Sequence, residues 1–140
     1  MRYLLDTCIL SEVVKPRPEP RVTRWLNQQE EGRLYLSVLV LGEIRKGIER
    51  LPASKRRTQL EVWLREDLRE RFEGRIWPID AEVALSWGLL QGNAEGKGRR
   101  LPVIDGLLAA TAVVHDAVLV TRNVKDLEGS RAEIFDPWAR

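Results

Sequence analysis

The sequence has very little cysteine and histidine, with one residue of each, Cys8 and His115, among 140. A single cysteine excludes an internal disulfide and indicates a reducing, cytoplasmic setting. One cysteine and one histidine are also too few to build a zinc site of the usual composition. A metal ion used by this protein is therefore expected to be a hard cation bound through oxygen atoms.

Charge of one sign is not in large excess, because 23 Lys and Arg oppose 21 Asp and Glu, giving a net charge of +2. A nucleic-acid partner is therefore not indicated by overall charge, and any such contact must depend on local charge. Long apolar runs are also missing, since the stretch 101–120 carries Asp105, His115 and Asp116 and is too polar for a membrane span. No signal peptide is expected, because Asp6 interrupts the N-terminal apolar run.

The sequence does contain short continuous apolar segments separated by helical patterns. The segments predicted as strands are 3–5, 34–36, 76–79, 117–121 and 134–135. Apolar runs without strict alternation are typical of a parallel sheet that helices cover on both faces. The length predicts one α/β domain, residues 1–140, with four to five short parallel strands as the middle of three layers.

Capping residues and apolar spacing predict the helices between these strands. The predicted helices cover about 9–14, 20–32, 38–48, 54–72, 80–90 and 103–115. Gly47 is expected to permit close packing of the third helix, because glycine costs about 1 kcal/mol of helix propensity relative to alanine. The tryptophans at 25, 63 and 87 fall on apolar helix faces, which predicts a place in the core or at a subunit interface.

The stretch Gly92–Arg100 is predicted to be a flexible basic loop. It has a superficial likeness to a phosphate-binding P-loop, but the glycine spacing is short by one and no Ser or Thr follows Lys97. Lys97, Arg99 and Arg100 are candidate contacts for a polyanion backbone. An ordinary solvated loop explains the same residues equally well.

Three carboxylates stand at unusual places in this pattern. Asp6 directly follows the first strand, Glu43 lies in a helix among small and apolar residues, and Asp105 lies in the first turn of the most apolar helix. Each also has an ordinary structural explanation. Asp6 could cap a helix, Glu43 could pair with Lys46, and Asp105 could stabilise a helix N-terminus.

Convergence of these carboxylates would have a chemical consequence. If the first and fourth strands are central neighbours, the topological switch point of the sheet lies between Asp6 and Asn123, and a crevice forms there. Glu43 and Asp105 can reach this crevice. Several carboxylates together need a counter-charge, which Mg²⁺ or Mn²⁺ supplies through oxygen ligands. Such an ion activates water for phosphodiester hydrolysis. No Ser–His or Cys–His pair offers a covalent route. Cys8 is expected to be a small buried residue, and His115 is expected to be a cation at the C-terminus of a helix.

Five segments of the sequence together carry a family resemblance. They are LLDT near the start, GEIRKG around Glu43, IDGLLAATA around Asp105, VTRNVKD after the fourth strand and the closing DPW. In this order and spacing they resemble the PIN-domain ribonucleases, specifically the VapC and FitB toxins of bacterial toxin-antitoxin pairs. The resemblance runs through essentially the whole chain.

The resemblance implies a PIN-like fold and a Mg²⁺-dependent endoribonuclease, with Mn²⁺ as the other ion. It implies an RNA substrate, a VapB-like antitoxin that silences the enzyme, and a homodimer or higher assembly. By position, the catalytic and metal-binding residues are Asp6, Glu43 and Asp105. Supporting residues are expected at Thr7, Thr121, Asn123 and Asp126, and candidate RNA contacts at Lys46, Lys97, Arg99 and Arg100.

Two positions depart from the family pattern. Cys8 stands where the family often has Asn, which removes a polar group beside the site. Asn123 stands where an acidic residue is common, and Asp126 is expected to replace it directly or through water. A neutral amide at that corner lowers the negative charge of the site, which favours one tightly held ion over two.

Two other functions also fit the sequence. A catalytically silent PIN-fold module, which binds antitoxin or nucleic acid without cleavage, is suggested by Asn123. A phosphatase of the haloacid-dehalogenase type also places an Asp after its first strand. That family needs a second Asp two residues later, where this sequence has Cys8, so the phosphatase is disfavoured.

Overall fold

The computed structural model describes residues 1–139, which form a parallel sheet between two layers of helices. The strands are β1 (Arg2–Leu5), β2 (Leu34–Ser37), β3 (Ile76–Trp77), β4 (Ala117–Val120) and β5 (Glu133–Phe135). Their order in the sheet is β3-β2-β1-β4-β5, and every neighbouring pair is parallel. The predicted α/β class, the parallel sheet and the three-layer arrangement are confirmed.

The helices connect successive strands. They are α1 (Thr7–Val13), α2 (Pro20–Gln28), α3 (Val38–Glu49), α4 (Lys55–Val62), α5 (Arg69–Arg71), α6 (Ala81–Gly96) and α7 (Val103–Val114). A π-helical segment, Trp63–Leu68, joins α4 to α5, and short 3₁₀ turns lie at Glu31–Arg33, Lys125–Leu127 and Pro137–Ala139. The predicted caps are present, because Ser37, Ser54 and Asp80 accept hydrogen bonds from backbone amides at the starts of α3, α4 and α6.

Contacts made by β1 and β2 show which helices cover each face of the sheet. Tyr3 packs edge to face on Trp25 of α2, with ring centroids 5.1 Å apart. Leu4 points to the opposite face, where its strand partner Tyr35 belongs to a stack that ends at His115 after α7. The helices α2 and α7 therefore lie on opposite sides of the sheet.

The two central strands, β1 and β4, place the candidate site. Leu4, Leu5, Leu119 and Val120 are fully buried, and the pairing continues one step further because the Asp6 amide donates to the Val120 carbonyl at 3.0 Å. The chain leaves β1 and β4 in opposite lateral directions, so a crevice opens at their carboxyl ends. The expectation that the first and fourth strands are central neighbours is confirmed.

The prediction of a loop over residues 92–100 is wrong for its first half. Helix α6 continues through Gly92 to Gly96, and only the following residues lie outside it. The buried Gln91 side chain donates to the Leu101 carbonyl, and Ala94, on the buried face of α6, is 5% exposed. Packing of α6 against α7 thus outweighs the poor helix propensity of glycine.

Three smaller predictions also need correction. The helix α2 ends at Gln28, earlier than predicted, and a 3₁₀ turn follows. A Cβ added to Gly47 would meet no atom within 4 Å, so this glycine does not serve close packing. His115 is not a C-terminal cation, because burial, followed by the nearby charge of Arg2, lowers its pKa while its ring stacks on Trp77.

Between residues 1 and 139, no helix is both long enough and apolar enough to cross a membrane. The predicted positions of the tryptophans are consistent with the structure. Trp25 is 6% exposed in the main core, and Trp63 is partly buried against that core. Trp87 is partly buried against a second, smaller apolar cluster of Val83, Leu90 and Ala110.

Candidate active site at the carboxyl ends of β1 and β4

Asp6 is held rigidly at the point where β1 ends. Its side chain is buried, and one carboxylate oxygen accepts a hydrogen bond from the Thr7 amide at 2.7 Å. The other oxygen accepts a hydrogen bond from the Thr121 hydroxyl, also at 2.7 Å. Asp6 is thus the N-cap of α1 and a member of the crevice at once, so its two proposed roles coexist.

Thr7 links this carboxylate to Glu43. The Thr7 hydroxyl donates to Glu43 Oε1 at 2.7 Å, joining the start of α1 to the second turn of α3. Glu43 is half-buried, whereas Lys46 is exposed on the next turn. The Glu43 carboxylate therefore takes its hydrogen bond from Thr7 of α1 and not from Lys46.

Asp105 shares this acidic neighbourhood from the first turn of α7. Burial, followed in order by the charges of Asp6, Asp126 and Glu43, raises its pKa to about 6. Asp105 makes no capping hydrogen bond at the start of α7. The proximity of other carboxylates, more than helix capping, characterises its position.

Thr121 and the residues after it form the other wall of the crevice. The Thr121 hydroxyl, which donates to Asp6, accepts the backbone amide of Asn123 at 3.0 Å. Asn123 therefore contacts Thr121 through its backbone amide, and the residue itself is exposed to solvent. Asp126 is also exposed, and its charge acts on Asp105. Asn123 thus contacts the crevice through a backbone hydrogen bond, whereas Asp126 affects it through its charge.

Cys8 lies against the same carboxylate. Its Sγ is 3.9 Å from Asp6 Oδ2 and 3.8 Å from the Thr121 hydroxyl. Burial, and then the charge of Asp6, raise the pKa of the thiol to about 11. The thiol stays protonated at neutral pH, so Cys8 is a weak donor to Asp6 and a poor nucleophile.

The donor set suits a hard cation, but the side chains do not form a closed cage. Within the described part of the chain, no three His, Cys, Asp or Glu residues are grouped tightly enough to hold a metal ion by themselves. Mg²⁺ commonly takes one or two carboxylates and keeps several waters, so a loose group of carboxylates fits this ion. The crowding that raises the pKa of Asp105 is the charge that such an ion would neutralise.

The candidate RNA contacts do not form one group. Lys97 and Arg99 line a cavity together with Arg131, which the sequence interpretation did not include. Arg100 is exposed outside that cavity, and Lys46 is exposed on α3. Arg131 was missed because it is 32 residues from Arg99 in the chain, and no local pattern joins them.

Glu12 is a second residue that the sequence did not single out. It is 6% exposed, and its carboxylate accepts hydrogen bonds from Lys15 and from the Glu19 amide, both at 3.0 Å. The hydrogen bond from Lys15 is the main cause that lowers the pKa of Glu12. Glu12 thereby ties the proline-containing segment 16–20 to α1, behind the site.

Comparison with known proteins identifies the family. The PIN domain family matches residues 3–127 of this chain. The chain belongs to the PIN-domain family. This PIN domain is 34% identical over 135 residues to VapC ribonuclease Y4jK of Sinorhizobium fredii, and the match covers 96% of each protein. It is 33% identical to Toxin FitB of Neisseria gonorrhoeae over 96% of this chain and 97% of FitB.

The fold agrees with a solved relative. The crystal structure of FitAcB from Neisseria gonorrhoeae contains a chain that matches this PIN domain with a TM-score of 0.93 at 32% identity, covering 99% of both chains. The resemblance to VapC and FitB proteins that the sequence motifs indicated is therefore confirmed.

Proposed function

We propose that this PIN domain is a metal-dependent endoribonuclease and the toxin of a toxin-antitoxin pair. The observation that carries the proposal is the meeting of carboxylates from distant segments: Thr7 donates hydrogen bonds to both Asp6 and Glu43, each at 2.7 Å. Burial, followed by the charges of Asp6, Asp126 and Glu43, raises the pKa of Asp105 to about 6, in agreement with this crowding. Carboxylates crowded in this way repel one another unless a cation joins them. A polyanionic RNA needs the same neutralisation before its phosphodiester can enter an acidic crevice.

Asp6, Glu43 and Asp105 would hold Mg²⁺ or Mn²⁺ through their carboxylate oxygens. When bound, the ion would polarise a phosphoryl oxygen and lower the pKa of water. The protein's own contribution is orientation, because hydrogen bonds from Thr121 and Thr7 hold Asp6 and Glu43 in fixed positions. The protonated Cys8 thiol adds a weak donor to Asp6 without adding charge.

The names of the relatives support both parts of the proposal. One relative is named a VapC ribonuclease and another a toxin, and both are matched over nearly their full length. The matching FitAcB structure comes from Neisseria gonorrhoeae, the organism of Toxin FitB. We therefore propose RNA as the substrate and a cognate VapB-like antitoxin as the protein partner.

A groove beside Glu43 suits such a partner. It has a volume of about 260 Å³, and apolar residues of α3, α4 and the following segment line it, including Ile44, Ile48, Leu60 and Trp63. Glu43 lies at its margin. An antitoxin segment with apolar side chains bound here would reach the acidic crevice and compete with RNA for it.

A second candidate function is the silent module that binds without cleavage. It is favoured by the neutral Asn123 and by the loose grouping of the acidic side chains within residues 1–139. The two functions make different predictions for purified protein.

The deciding experiment tests cleavage of single-stranded RNA by the purified, antitoxin-free chain. We expect cleavage with Mg²⁺ or Mn²⁺, no cleavage with a chelator, and loss of cleavage in Asp6→Asn without loss of folding by circular dichroism. Asp67→Asn, which changes an exposed carboxylate on the π-helical segment, is the matched control and should keep full activity. Cleavage that survives in Asp6→Asn would refute the site. A folded, metal-supplied protein that cleaves no RNA would favour the silent module.

A further inference from the structure

A second cavity, of about 300 Å³, lies outside the acidic crevice. It is formed by the end of α6, the loop after it and the segment before β5. Its polar lining consists mainly of Lys97, Arg99 and Arg131, with Asn93 from α6, and no carboxylate of residues 1–139 lines it. Its volume is at the lower end of the range for ligand-binding pockets.

The three cations of this cavity lack the partners that other arginines of the chain have. Arg45 pairs with Glu49 on α3, and Arg71 pairs with Glu31 through two hydrogen bonds. Within the described residues, no carboxylate lies within ion-pair distance of any of the three cations of the cavity. Like charges brought together in this way repel, and an anion bound among them would relieve the repulsion.

Gly129 shapes this cavity around Arg99. Its φ is +84°, and a Cβ placed there would be 2.9 Å from Nη1 of Arg99. Glycine adopts this left-handed backbone without strain, and a side chain at position 129 would require the guanidinium group of Arg99 to shift. The absence of a side chain there leaves room for Arg99 in its present position.

Both walls of the cavity connect to the acidic crevice through short segments. Arg99 precedes Asp105 by six residues, and Gly129 follows Asp126 by three. Six residues span at most about 20 Å. A strand with one phosphate beside Asp105 would therefore need only a few further nucleotides to reach the cations.

We infer that this cavity binds a backbone phosphate of the RNA strand a few nucleotides from the cleaved bond. The inference rests on the proposed ribonuclease function. The acidic side chains of the crevice repel a polyanion and leave the bound metal ion as its only attraction there, so further binding energy for RNA has to come from cations placed outside the crevice. Arginine forms paired hydrogen bonds with phosphate oxygens, and lysine adds a point charge. Arg99, Arg131 and Lys97 provide both kinds of contact.

The test uses the full chain carrying Asp6→Asn, with MgCl₂ present, and a fluorescein-labelled single-stranded RNA of mixed sequence. Removal of two cations, Lys97→Ala with Arg131→Ala, is expected to weaken binding on the order of tenfold. It should also make the slope of log affinity against log salt shallower by about 0.7, the value for one phosphate of a single strand. The matched control removes two exposed arginines elsewhere, Arg24→Ala with Arg69→Ala, and should keep the slope.

A glycine variant tests the cavity without changing any charge. Gly129→Ala places a Cβ against Arg99 and is expected to raise the KM for RNA cleavage about threefold, with kcat unchanged. Gly74→Ala is its control, because Gly74 also has a positive φ, +77°, but an added Cβ there would meet nothing within 4 Å. Equal KM values for the two variants would count against a role for the Arg99 contact.

The outcomes separate this inference from the proposed function. If the chain neither binds nor cleaves RNA, the proposed function fails and the inference fails with it. If the wild-type chain cleaves RNA but the double variant and its control bind RNA with equal affinity and equal salt slope, the inference alone is overturned. Calorimetric binding of inorganic phosphate that the double variant loses, with RNA affinity unchanged, would reassign the cavity to free phosphate and overturn the assignment to the strand.

Discussion

Asp105 is a single residue whose position lowers the stability of the folded protein when its carboxyl group is charged. Burial and then three neighbouring carboxylates raise its pKa to about 6, so its charged form is disfavoured in the folded protein. The unfolded chain, in which the group has an ordinary pKa, releases its proton at lower pH. The contribution of Asp105 to folding stability should therefore fall as the pH rises from about 4 to about 6, because the folded state keeps this proton longer.

Asp105→Asn is expected to stabilise the metal-free protein at pH 7.5 by about 1 kcal/mol, a value reduced for the partial exposure of the side chain. The gain should be smaller at pH 4, where the native carboxyl is protonated. Urea denaturation at both pH values measures it, and RNA cleavage should be lost in the same variant. Exposed Asp67→Asn is the control, and an equal gain in both variants would rule out the crowding explanation.

Gly47 provides a test at a residue without close neighbours. Gly47→Ala adds a Cβ that meets nothing within 4 Å, inside a regular helix. We expect the free energy of unfolding to rise by about 0.5–1 kcal/mol from helix propensity alone. Thermal denaturation measures the change, and a destabilised variant would show that the groove beside α3 is tighter than described.

At the scale of the element, α3 matters because it carries Glu43. The helix begins at the buried Ser37, whose hydroxyl accepts the Leu39 amide at 3.1 Å. Six residues after Ser37, Glu43 receives the hydrogen bond from Thr7. The start of the helix therefore sets both the stability of α3 and the direction of a site carboxylate.

Ser37→Ala should cost about 1 kcal/mol of stability and also reduce RNA cleavage, because the first turns of α3 position Glu43. Ser54→Ala removes the equivalent cap from α4, where Ser54 accepts the Arg57 amide at 3.1 Å. This control should lose a similar or smaller amount of stability but keep its kcat. Urea denaturation and single-turnover cleavage separate the two effects. An equal loss of kcat in both variants would mean that general loosening, and not the position of Glu43, limits activity.

At the scale of the whole molecule, the sheet brings together carboxylates from distant parts of the chain. Asp6 follows β1, and Asp105 stands in α7 before β4, 99 residues later. These parts meet because β1 and β4 are neighbours and the connections leave in opposite directions. Without a cation, the repulsion between these carboxylates lowers the free energy of unfolding of the whole chain.

Mg²⁺ is therefore expected to stabilise the whole chain. At a metal concentration about ten times the Kd, the gain is about 1.4 kcal/mol, which corresponds to a rise in Tm of about 4 °C. The shift should be smaller at pH 5, where Asp105 with its pKa of about 6 is mostly protonated. Differential scanning calorimetry of the wild type and Asp6→Asn checks this. An equal shift in both proteins would place the ion elsewhere.

The order of the elements and the three candidate carboxylates could be predicted from sequence alone. Apolar runs, caps such as Ser37 and Asp80, and prolines act over a few residues, so their effect can be seen locally. The end of α6 could not be predicted, because Gln91 and Ala94 hold it through contacts with residues beyond Gly96 and with α7. The stacked, weakly basic His115 also depends on a partner, Trp77, that is distant in the chain.

The sequence by itself determined which chemical groups are present and which short segments form strands, because these depend on residue type and short-range preference. Only the tertiary structure decided which groups meet. Thr121 reaches Asp6 across 115 residues, and Thr7 reaches Glu43 across 36. Arg131 joins Arg99 around Gly129 in the same way. Strand order and helix packing create these pairs, and both follow from burying the apolar surface of the whole chain at once.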